Sequence, residues 1–434
     1  MSWGRVVRAR HYVARPRFAD EAETALRQAR AENRAALGVG LGRSYGDSNL
    51  NPDGALIDMT SLDRIISFDK TVGTLRIEAG ASLSDILRLI VPHGWFLPTT
   101  PGTRYVTLGG AIANDVHGKN HHRAGSIGCS VRRIGLVRSD CGALELGPDS
   151  EPELFAATIG GLGLTGLMRW VEIQLVPIAS AFIDQEIEPF DNLDGFFTIA
   201  RASEDLFEHT VAWVDCTARG ADLGRGVFMR GNWASEGELT PHAETRKLKV
   251  PIDGTSAAFT PAVLKFGNAL YRMSQTLKPS RARTHYAAHF YPLDAIGAWN
   301  RLYGAQGFYQ YQCVLPHAQA EGGLREMMDA VAKDGAGSIL VVLKTFGARR
   351  SPGLLSFPTP GVTLAMDFHN AGMRTHRLFE RLDQSVRAAG GRLYPAKDGR
   401  MPTTMFQEGY PEWSRFGALR DPALSSAFWR RVSQ

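Results

Sequence analysis

Cysteine is scarce in this sequence, and the few cysteines lie far apart. The chain has 434 residues and four cysteines, at positions 129, 141, 216 and 313, with no C-x-x-C pair. Closely spaced cysteines are typical of disulfide-stabilised secreted domains, and that arrangement is missing here. We therefore expect reduced, mostly buried thiols and no disulfide framework.

Long apolar runs and clusters of one charge are also missing. No uninterrupted apolar stretch approaches the ~20 residues of a membrane-spanning helix. The N-terminal stretch MSWGRVVRARHYVARP lacks the apolar core and cleavage site of a signal peptide. The 49 basic residues are dispersed, which argues against nucleic-acid binding, and the net charge of +5 fits anionic small molecules or an anionic membrane surface. We expect a cytoplasmic protein that could still touch a membrane.

The length and the residue pattern predict an α+β protein with two domains. A chain of 434 residues is longer than one hydrophobic core usually organises. Most of the first 177 residues alternate short strands with helices, such as those expected over 20–34 and after Ser82, and much of the glycine lies here. Beyond Pro177 glycine is rarer and aromatic-rich strands appear, so Pro177 marks the predicted boundary.

The first glycine loop, GVGLGRSYGD at 38–47, follows a short predicted strand. Gly40, Gly42 and Gly46 would let backbone N–H groups converge on an anion without interference from Cβ atoms. A Rossmann dinucleotide site is excluded because the third glycine is displaced and the following residues predict loop and strand instead of a helix. By itself, the loop is equally compatible with a ligand cradle and an ordinary glycine turn.

The second glycine loop, PGTRYVTLGGAIANDVHGKNHHRAGSIG, begins at Pro101 and is more informative. Its glycines alternate with polar residues, and the run from Gly109 to Ala113 would let backbone lie against a flat aromatic system. His117 and His121 have the i, i+4 spacing of a metal site, but that spacing works only on a helix. Gly118 and Asn120 argue against a helix here, so no metal is expected.

These motifs carry a family resemblance that extends over nearly the whole chain. The two glycine loops, in this order and at this separation, resemble the FAD domain of the vanillyl-alcohol oxidase and p-cresol methylhydroxylase superfamily. The residues of these motifs resemble even more closely those of the decaprenylphosphoryl-β-D-ribose 2-oxidases, flavoenzymes of cell-wall arabinan precursor synthesis. The matching segments are GLGRSYGD, PGTRYVTLGGAIANDVHGKNHH, AGSIG, YPLDAIGAWNRLYG, GFYQYQCVLP, VVLKTFG and LYPAKDGR.

The resemblance implies a division into three segments and a cofactor site. Residues 1–177 would form the FAD-binding domain, 178–392 an antiparallel-sheet substrate domain, and 393–434 a segment returning to the FAD domain. The loop Gly160–Gly166 would complete the nucleotide site, although a simple glycine hinge explains it nearly as well. The residues expected to contact FAD are Gly38, Val39, Gly40, Leu41, Gly42, Arg43, Ser44, Tyr45, Gly46, Asp47, Ser48, Gly102, Thr107, Leu108, Gly109, Gly110, Asn114, Asp115, Val116, His117 and Tyr394.

One departure concerns how the flavin is attached. Many superfamily members link the flavin covalently to a histidine just before the serine of the first loop. Arg43 occupies that position here, so the resemblance implies non-covalent FAD.

The resemblance also implies a substrate site beyond residue 177. Lys397 in YPAKD would stabilise negative charge on the reduced flavin and bond a substrate hydroxyl. Gln310 and Gln312 alternate on a predicted strand, so both amides would face a sugar from one side. Lys344 lies in an apolar strand, where an anionic phosphate is its natural partner. Arg301 is a further candidate, or only a structural charge.

The implied reaction is oxidation of the C2 hydroxyl of a polyprenylphosphoryl ribose to the 2-keto sugar. Hydride would go to FAD and the hydroxyl proton to His117, Tyr45 or Lys397, between which the sequence does not choose. A short-chain reductase partner would then complete the epimerisation of ribose to arabinose. The mycobacterial enzymes have a cysteine two residues before the Asp of the V-D-F segment; Ala365 stands there, so thiol-directed inhibitors should not react.

The sequence leaves open where the lipid tail of the substrate would bind and which of three functions the protein has. A helix predicted over 259–277 carries Val263, Phe266, Leu270 and Met273 along one stripe, which could face the core or dock on a membrane. An aldonolactone or alditol oxidase acting on soluble sugars would share the fold. A flavin-binding protein without catalysis is the rival from another class.

Overall fold

A computed structural model of the chain describes residues 1–243 and 248–434, and within these ranges it forms twenty strands and thirteen α-helices. The strands are β1 Tyr12–Ala14, β2 Ala36–Val39, β3 Ala55–Asp58, β4 Ile65–Asp69, β5 Thr74–Glu78, β6 Trp95–Phe96, β7 Val131–Arg138, β8 Gly142–Leu146, β9 Leu167–Gln174, β10 Val176–Pro177, β11 Phe182–Phe190, β12 His209–Val214, β13 Gly226–Trp233, β14 Leu248–Lys249, β15 Arg281–His285, β16 Ile296–Gly297, β17 Phe308–Pro316, β18 Val341–Phe346, β19 Gly361–His369 and β20 Arg392–Leu393. The helices are α1 Ala19–Ala31, α2 Leu83–Ile90, α3 Leu108–Ala113, α4 His121–Ala124, α5 Pro152–Thr158, α6 Leu193–Ser203, α7 Pro261–Thr276, α8 Tyr286–Phe290, α9 His317–Asp334, α10 Met373–Ala388, α11 Thr403–Gly409, α12 Trp413–Leu419 and α13 Ala427–Val432.

The N-terminal part contains two sheets that carry the glycine loops. A three-stranded parallel sheet has the order β1-β3-β2, and a five-stranded antiparallel sheet has the order β4-β5-β9-β7-β8. Strand β5 alternates as a half-buried strand should, with Leu75 and Ile77 buried. Helix α2 begins where the sequence predicts, because the Ser82 hydroxyl accepts a hydrogen bond from the Asp85 N–H at 3.1 Å.

The second part is organised around an eight-stranded sheet with the order β15-β11-β13-β12-β18-β19-β17-β20. All of its strand pairs are antiparallel. Helices α9 and α10 cover one face, burying Met327, Leu378 and Leu382. Tyr311 of β17 points to these helices and contacts Phe379, so its neighbours Gln310 and Gln312 point to the opposite face.

The last forty residues return to the N-terminal part. Strand β20 is the final strand of the eight-stranded sheet, and Ala36 in β2 then exchanges backbone hydrogen bonds with Ala423 and Ser425. Arg431 of α13 forms an ion pair with Asp47 of the first glycine loop at 2.7 Å. The chain is thus an α+β protein of two parts, as the sequence predicts, and the C-terminal segment joins them.

Helix α7 corrects one expectation from the sequence. Its predicted apolar stripe does not face the core: Val263, Phe266, Leu270 and Met273 are exposed, and Phe266 keeps 71% of its surface accessible. Leu264, on another side of the helix, is the buried contact. Among residues 1–243 and 248–434, no helix is both long and apolar enough to cross a lipid bilayer.

Candidate active site

A cavity of about 460 Å³ lies between the glycine loops and the free face of the eight-stranded sheet. It brings together most of the residues that the sequence indicates, although they come from segments more than 350 positions apart. Those lining it are Gly38, Val39, Gly40, Leu41, Gly42, Arg43, Ser44, Tyr45, Ser48, Gly102, Thr107, Gly109, Gly110, Asn114, Val116, His117, Gln310, Gln312, Lys344, Tyr394 and Lys397.

The two glycine loops form one wall because their backbones pack closely together. A Cβ atom on Gly40 would lie 2.2 Å from the Thr107 hydroxyl oxygen, so only glycine fits there. Gly42 adopts the left-handed conformation at φ 64°. Thr107 also caps α3, since its hydroxyl accepts a hydrogen bond from the Gly110 N–H at 3.1 Å. The second loop is therefore held with Gly109, Gly110 and Asn114 beside the first.

The loop Gly160–Gly166 closes this wall from a third side. Gly160, Leu162 and Gly163 all have positive φ, and the Leu162 N–H donates to the Ala113 carbonyl at 2.7 Å. Leu162, Gly163 and Gly166 line the cavity. The loop is thus fastened to the end of α3 and contributes directly to the pocket.

The opposite wall is the sheet face, and strand register determines which side chains share it. Ala365 of β19 pairs with Gln312 of β17 on one side and with Val342 of β18 on the other. Two residues before Ala365, Thr363 pairs with Lys344 of β18. Because cross-strand partners point to the same side, these side chains form one surface facing the glycine loops, and Gln312, Lys344 and Thr363 are its polar members. The small Ala365 lies between Gln312 and Val342 and leaves room above the sheet.

The same sheet face becomes apolar farther from Gln312. Val342 pairs with Trp213, and Val211 on the same side pairs with Met229. Tyr271 of α7 packs over Trp213 with ring centroids 4.6 Å apart, and all of these side chains line the cavity. One end of the sheet face is therefore suited to a polar group and the other to an apolar chain.

His117 is held between two side chains of this surface. Its Nδ1 lies 3.1 Å from Lys344 Nζ, and its Nε2 lies 2.9 Å from the side-chain amide of Gln312. Gln312 Nε2 also donates to the Thr363 hydroxyl at 3.3 Å, so it faces His117 as a donor and Nε2 of the ring accepts. Burial and the charge of Lys344 hold the pKa of His117 well below its ordinary value. The imidazole is neutral and both nitrogens are engaged.

Lys397 lies on the other side of the cavity, against Tyr45. Its Nζ is 3.9 Å from the centre of the Tyr45 ring, a cation–π contact. Burial lowers the pKa of Lys397, and the nearby carboxylate of Asp367 opposes that shift. The ammonium form of Lys397 is therefore less stable than that of a solvent-exposed lysine, and the amine can exchange a proton near neutral pH.

Positive charge dominates the cavity lining. Arg43, Lys119, Lys344 and Lys397 line it, and Asp294 is the one carboxylate among the lining residues that the structure describes. Burial lowers the pKa of Lys119 and of Lys344 to about 7. Among the described residues no carboxylate lies within ion-pair distance of Lys119 or Lys344, and buried cations without such a partner indicate a site for anionic ligands.

Comparison with known proteins agrees with this geometry. Residues 11–147 match the family model described as an FAD binding domain. The chain is 37% identical to decaprenylphosphoryl-β-D-ribose oxidase of Mycolicibacterium smegmatis, over 91% of this chain and 88% of that protein. The chain belongs to that family. It is an FAD-dependent oxidoreductase.

Two further relatives show the breadth of the likeness. An uncharacterised Streptomyces coelicolor protein is 32% identical over 78% of this chain and 95% of its own length. Mouse L-gulonolactone oxidase is 30% identical over 41% of each chain. The likeness to the decaprenylphosphoryl-ribose oxidase thus extends over nearly the whole of both proteins, whereas the likeness to the mouse lactone oxidase covers less than half of each.

The glycine-loop wall fits FAD on its own evidence. Three buried polar atoms of lining residues have no hydrogen-bond partner within the described part of the protein: Ser48 Oγ, Asn49 Oδ1 and Asn114 Oδ1. Buried polar atoms left unpaired are costly, so they indicate a polar ligand. A Cβ atom on Gly102 would meet nothing within 4 Å, which leaves open space in the same wall.

Five residues predicted for the site do not line the cavity. Leu108 is a core residue at 0% exposure, and Gly46 packs on the Asp398 carbonyl, 1.6 Å from where its Cβ would be. Asp47 pairs with Arg431. Asp115 accepts from the Gly128 N–H and the Ser356 hydroxyl. Arg301 donates to Asp253 at 2.9 Å, away from the cavity. These residues support the loops from behind, and Arg301 is a structural charge.

The structure also adds residues that the sequence reasoning missed. Lys119 lies inside the HGKNHH motif, where attention to the histidines obscured it, and its Nζ donates to the His289 carbonyl. Asp367 is a single carboxylate in the apolar strand β19. Its period-2 spacing from Thr363 and Ala365 was the available signal that it shares their face.

Proposed function

We propose that this FAD enzyme oxidises the C2 hydroxyl of a polyprenylphosphoryl-β-D-ribose to the 2-keto sugar, the first half of a ribose-to-arabinose epimerisation for cell-envelope arabinan. The observation that carries the proposal is the cavity, in which the glycine-loop wall faces a sheet bearing two amides and Lys344 beside an apolar strip, with Lys397 on the other side. The name of the Mycolicibacterium relative supplies the sugar.

The cofactor contacts follow from the glycine-loop wall. Backbone of Gly38–Ser44 and the side chains of Ser48 and Asn114 would hold FAD, with Tyr45 and Tyr394 near the flavin ring. Bound FAD supplies the hydride acceptor for the oxidation. Arg43 has no nucleophilic ring nitrogen and stacks on Trp3 at 4.2 Å, so we propose non-covalent attachment. Acid precipitation should release the yellow flavin into the supernatant; colour retained by the pellet would contradict this.

The polar half of the sheet face would bind the ribosyl phosphate. Gln310 and Gln312 offer amide groups to sugar hydroxyls from one strand, two residues apart. Lys344 would pair with the phosphodiester, because its amine is buried and no carboxylate lies within ion-pair distance in the described residues. An anionic ligand would restore the full charge of this lysine, whose pKa burial has lowered.

Lys397 is our choice for the acceptor of the hydroxyl proton. His117 is disfavoured because both ring nitrogens are engaged and its pKa is well below the ordinary value. Tyr45 is disfavoured because burial and the charge of Asp367 raise the pKa of its phenol. After taking the proton, the Lys397 ammonium would stabilise negative charge that develops on the reduced cofactor.

The apolar half of the sheet face would receive the start of the lipid tail. Trp213, Val211, Met229 and Val342 form this strip beneath Tyr271 of α7. The outer side of α7 exposes Val263, Phe266, Leu270 and Met273, with Lys265 exposed beside them. We propose that this helix face rests on the anionic cytoplasmic surface of the membrane, where a polyprenyl substrate is found.

The product also implies a partner reaction. Oxidation at C2 leaves a ketone, and conversion of ribose to arabinose requires hydride delivery to the other face of that carbon. We therefore propose that a short-chain reductase takes the keto sugar. Purified enzyme alone should accumulate the ketone, and addition of such a reductase with its nicotinamide cofactor should yield the arabinose epimer.

A second candidate is oxidation of soluble aldonolactones or alditols, supported by the partial identity with mouse L-gulonolactone oxidase. A small neutral sugar has neither a lipid chain to contact the apolar strip nor an anionic group to pair with the buried Lys344. These two features therefore favour the polyprenylphosphoryl ribose. A flavin-binding protein without catalysis is a third reading, which the assembled Lys397, Gln310 and Gln312 oppose.

Anaerobic mixing separates these functions. A polyprenylphosphoryl ribose of short chain should bleach the flavin absorbance, whereas L-gulonolactone and xylitol should not. Bleaching by the lactone or alditol alone would favour the second candidate. No bleaching by any of the three, with dithionite still reducing the flavin, would favour the third.

A further inference from the structure

Asp367 lies on the same sheet face as the amides that we propose for sugar binding, beside Gln310, and only 1% of its surface is exposed. Its side chain accepts a hydrogen bond from Gln310 Nε2 at 2.5 Å and from the Tyr303 hydroxyl at 3.4 Å. Gln310 lines the cavity, and Asp367 is its cross-strand partner between β17 and β19. The carboxyl group therefore fixes the amide of Gln310 from the neighbouring strand.

Asp367 differs from most other buried carboxylates in its surroundings. Asp47, Asp215 and Asp383 each have an arginine within 3.0 Å. Asp367 has no cation within ion-pair distance in the described part of the chain, and its two donors are neutral. Burial accordingly raises the pKa of Asp367, and the nearest charge acting against that shift is Lys397.

The same group is linked to Lys397 through the cavity wall. Besides burial, Asp367 raises and Gln310 lowers the pKa of the Tyr45 phenol, so both act on this side chain, and Lys397 Nζ lies over the Tyr45 ring at 3.9 Å. Together with burial, the charge of Lys397 in turn lowers the pKa of Lys344 and of His117, and Asp398, the next residue in the chain, is paired with Arg431 at 3.0 Å. Asp367 is thus the negative charge that supports the Lys397 ammonium against the surrounding positive charge.

We propose that Asp367 is a positioning residue for the oxidation, holding Gln310 in place and supplying the counter-charge that sets how readily the Lys397 amine gains and loses its proton. The idea rests on the proposed function for its catalytic meaning. The carboxyl group itself touches neither the sugar nor the flavin. It acts through Gln310 by a hydrogen bond and through Lys397 by charge.

The test compares Asp367→Asn with Asp383→Asn as FAD-loaded enzymes. Asp383 is a matched control because it too is buried and accepts a hydrogen bond from a tyrosine, Tyr311, at 2.9 Å, but lies outside the cavity lining. The first readout needs no substrate: the flavin absorbance is titrated with pH. Loss of the Asp367 charge should move the Lys397-dependent midpoint to lower pH by about one unit, and Asp383→Asn should leave it in place.

The second readout is the pH profile of anaerobic flavin reduction by the polyprenylphosphoryl ribose. Asp367→Asn should move the limb assigned to Lys397 in the same acidic direction, and Asp367→Glu should restore part of the shift. If Asp367→Asn fails to fold, Tyr303→Phe removes one donor to the carboxylate and should shift the midpoint in the same direction by less. Midpoints equal to that of the wild type in both variants would overturn the proposal. If the substrate does not bleach the flavin of the wild type, but Asp367→Asn still moves the pH midpoint of the flavin absorbance, the proposed function is rejected. The effect of Asp367 on Lys397 is then retained.

Discussion

Lys344 Nζ lies 3.1 Å from Nδ1 of His117, so the histidine of the longest sequence motif and a lysine 227 positions later share one hydrogen bond. Together with burial, the charge of Lys344 holds the pKa of His117 well below its ordinary value, so the imidazole stays neutral. In the described part of the chain no carboxylate lies within ion-pair distance of the Lys344 amine, which fits the anionic ligand that we propose.

The first prediction concerns the phosphodiester. Lys344→Met should raise the KM for a polyprenylphosphoryl ribose by about 10- to 100-fold, because a charge-assisted hydrogen bond is lost. Flavin content should not change. Stopped-flow reduction kinetics give the value, with Lys333→Met as the control, since that lysine is 70% exposed on α9. An unchanged KM would remove Lys344 from the substrate site.

The same substitution has a predicted effect on stability. The folded pKa of Lys344 is lowered to about 7 from 10.5, so between these values the unfolded chain binds more protons and stability rises with pH. Below pH 7 the folded protein must bury the charge. Lys344→Met should therefore raise Tm by at least ~2 °C at pH 6, and the gain should shrink toward pH 10. A gain independent of pH would show that packing, not charge, is responsible.

Lys397→Met tests the proton acceptor. Loss of the amine should lower the rate of flavin reduction on the order of 10²- to 10³-fold while FAD remains bound. Single-turnover absorbance measures the rate and the flavin spectrum checks the loading. Lys265→Met, an exposed lysine on α7, is the control. Reduction at the wild-type rate by Lys397→Met would refute the assignment.

Ala365 should decide the response to thiol-directed inhibitors. It lines the cavity between Gln312 and Val342, whereas the neighbouring Cys313 is fully buried and burial raises the pKa of its thiol to about 12. The wild type should form no adduct within β19, and Ala365→Cys should form one. Peptide mass mapping distinguishes this adduct from labelling of the exposed Cys141. A cavity adduct on the wild type would contradict the prediction.

The outer face of α7 should govern membrane binding. Phe266→Glu/Leu270→Glu should weaken sedimentation with phosphatidylglycerol-containing vesicles at least ~10-fold, because two apolar side chains lose their burial. Reduction of the flavin by a short-chain soluble substrate should stay as in the wild type. Leu206→Glu is a control of similar exposure, 67%, elsewhere on the surface. Equal vesicle binding by all three proteins would exclude α7 as the docking face.

Local sequence determined much of the architecture and the cofactor class. The helix predicted over 20–34 and the helix predicted after Ser82 follow from patterns within a few residues, and the structure has α1 at Ala19–Ala31 and α2 capped by Ser82. The glycines of the two loops predict close approach of backbone to a ligand, and the family resemblance that these loops carry implies that the ligand is FAD.

Only the tertiary structure decided which residues meet. The sequence places Asp115 and Asp47 in the same loops as Asn114 and Ser48, and only the folded chain shows that the carboxylates turn away to support the loops. The exposed apolar stripe of α7 has the same sequence pattern as a helix that faces the core. An amphipathic pattern shows that a helix has an apolar face, but it does not show what that face contacts. The pairing of Lys344 with His117 and of Asp367 with Gln310 depends on strand register between distant segments, and no local pattern encodes it.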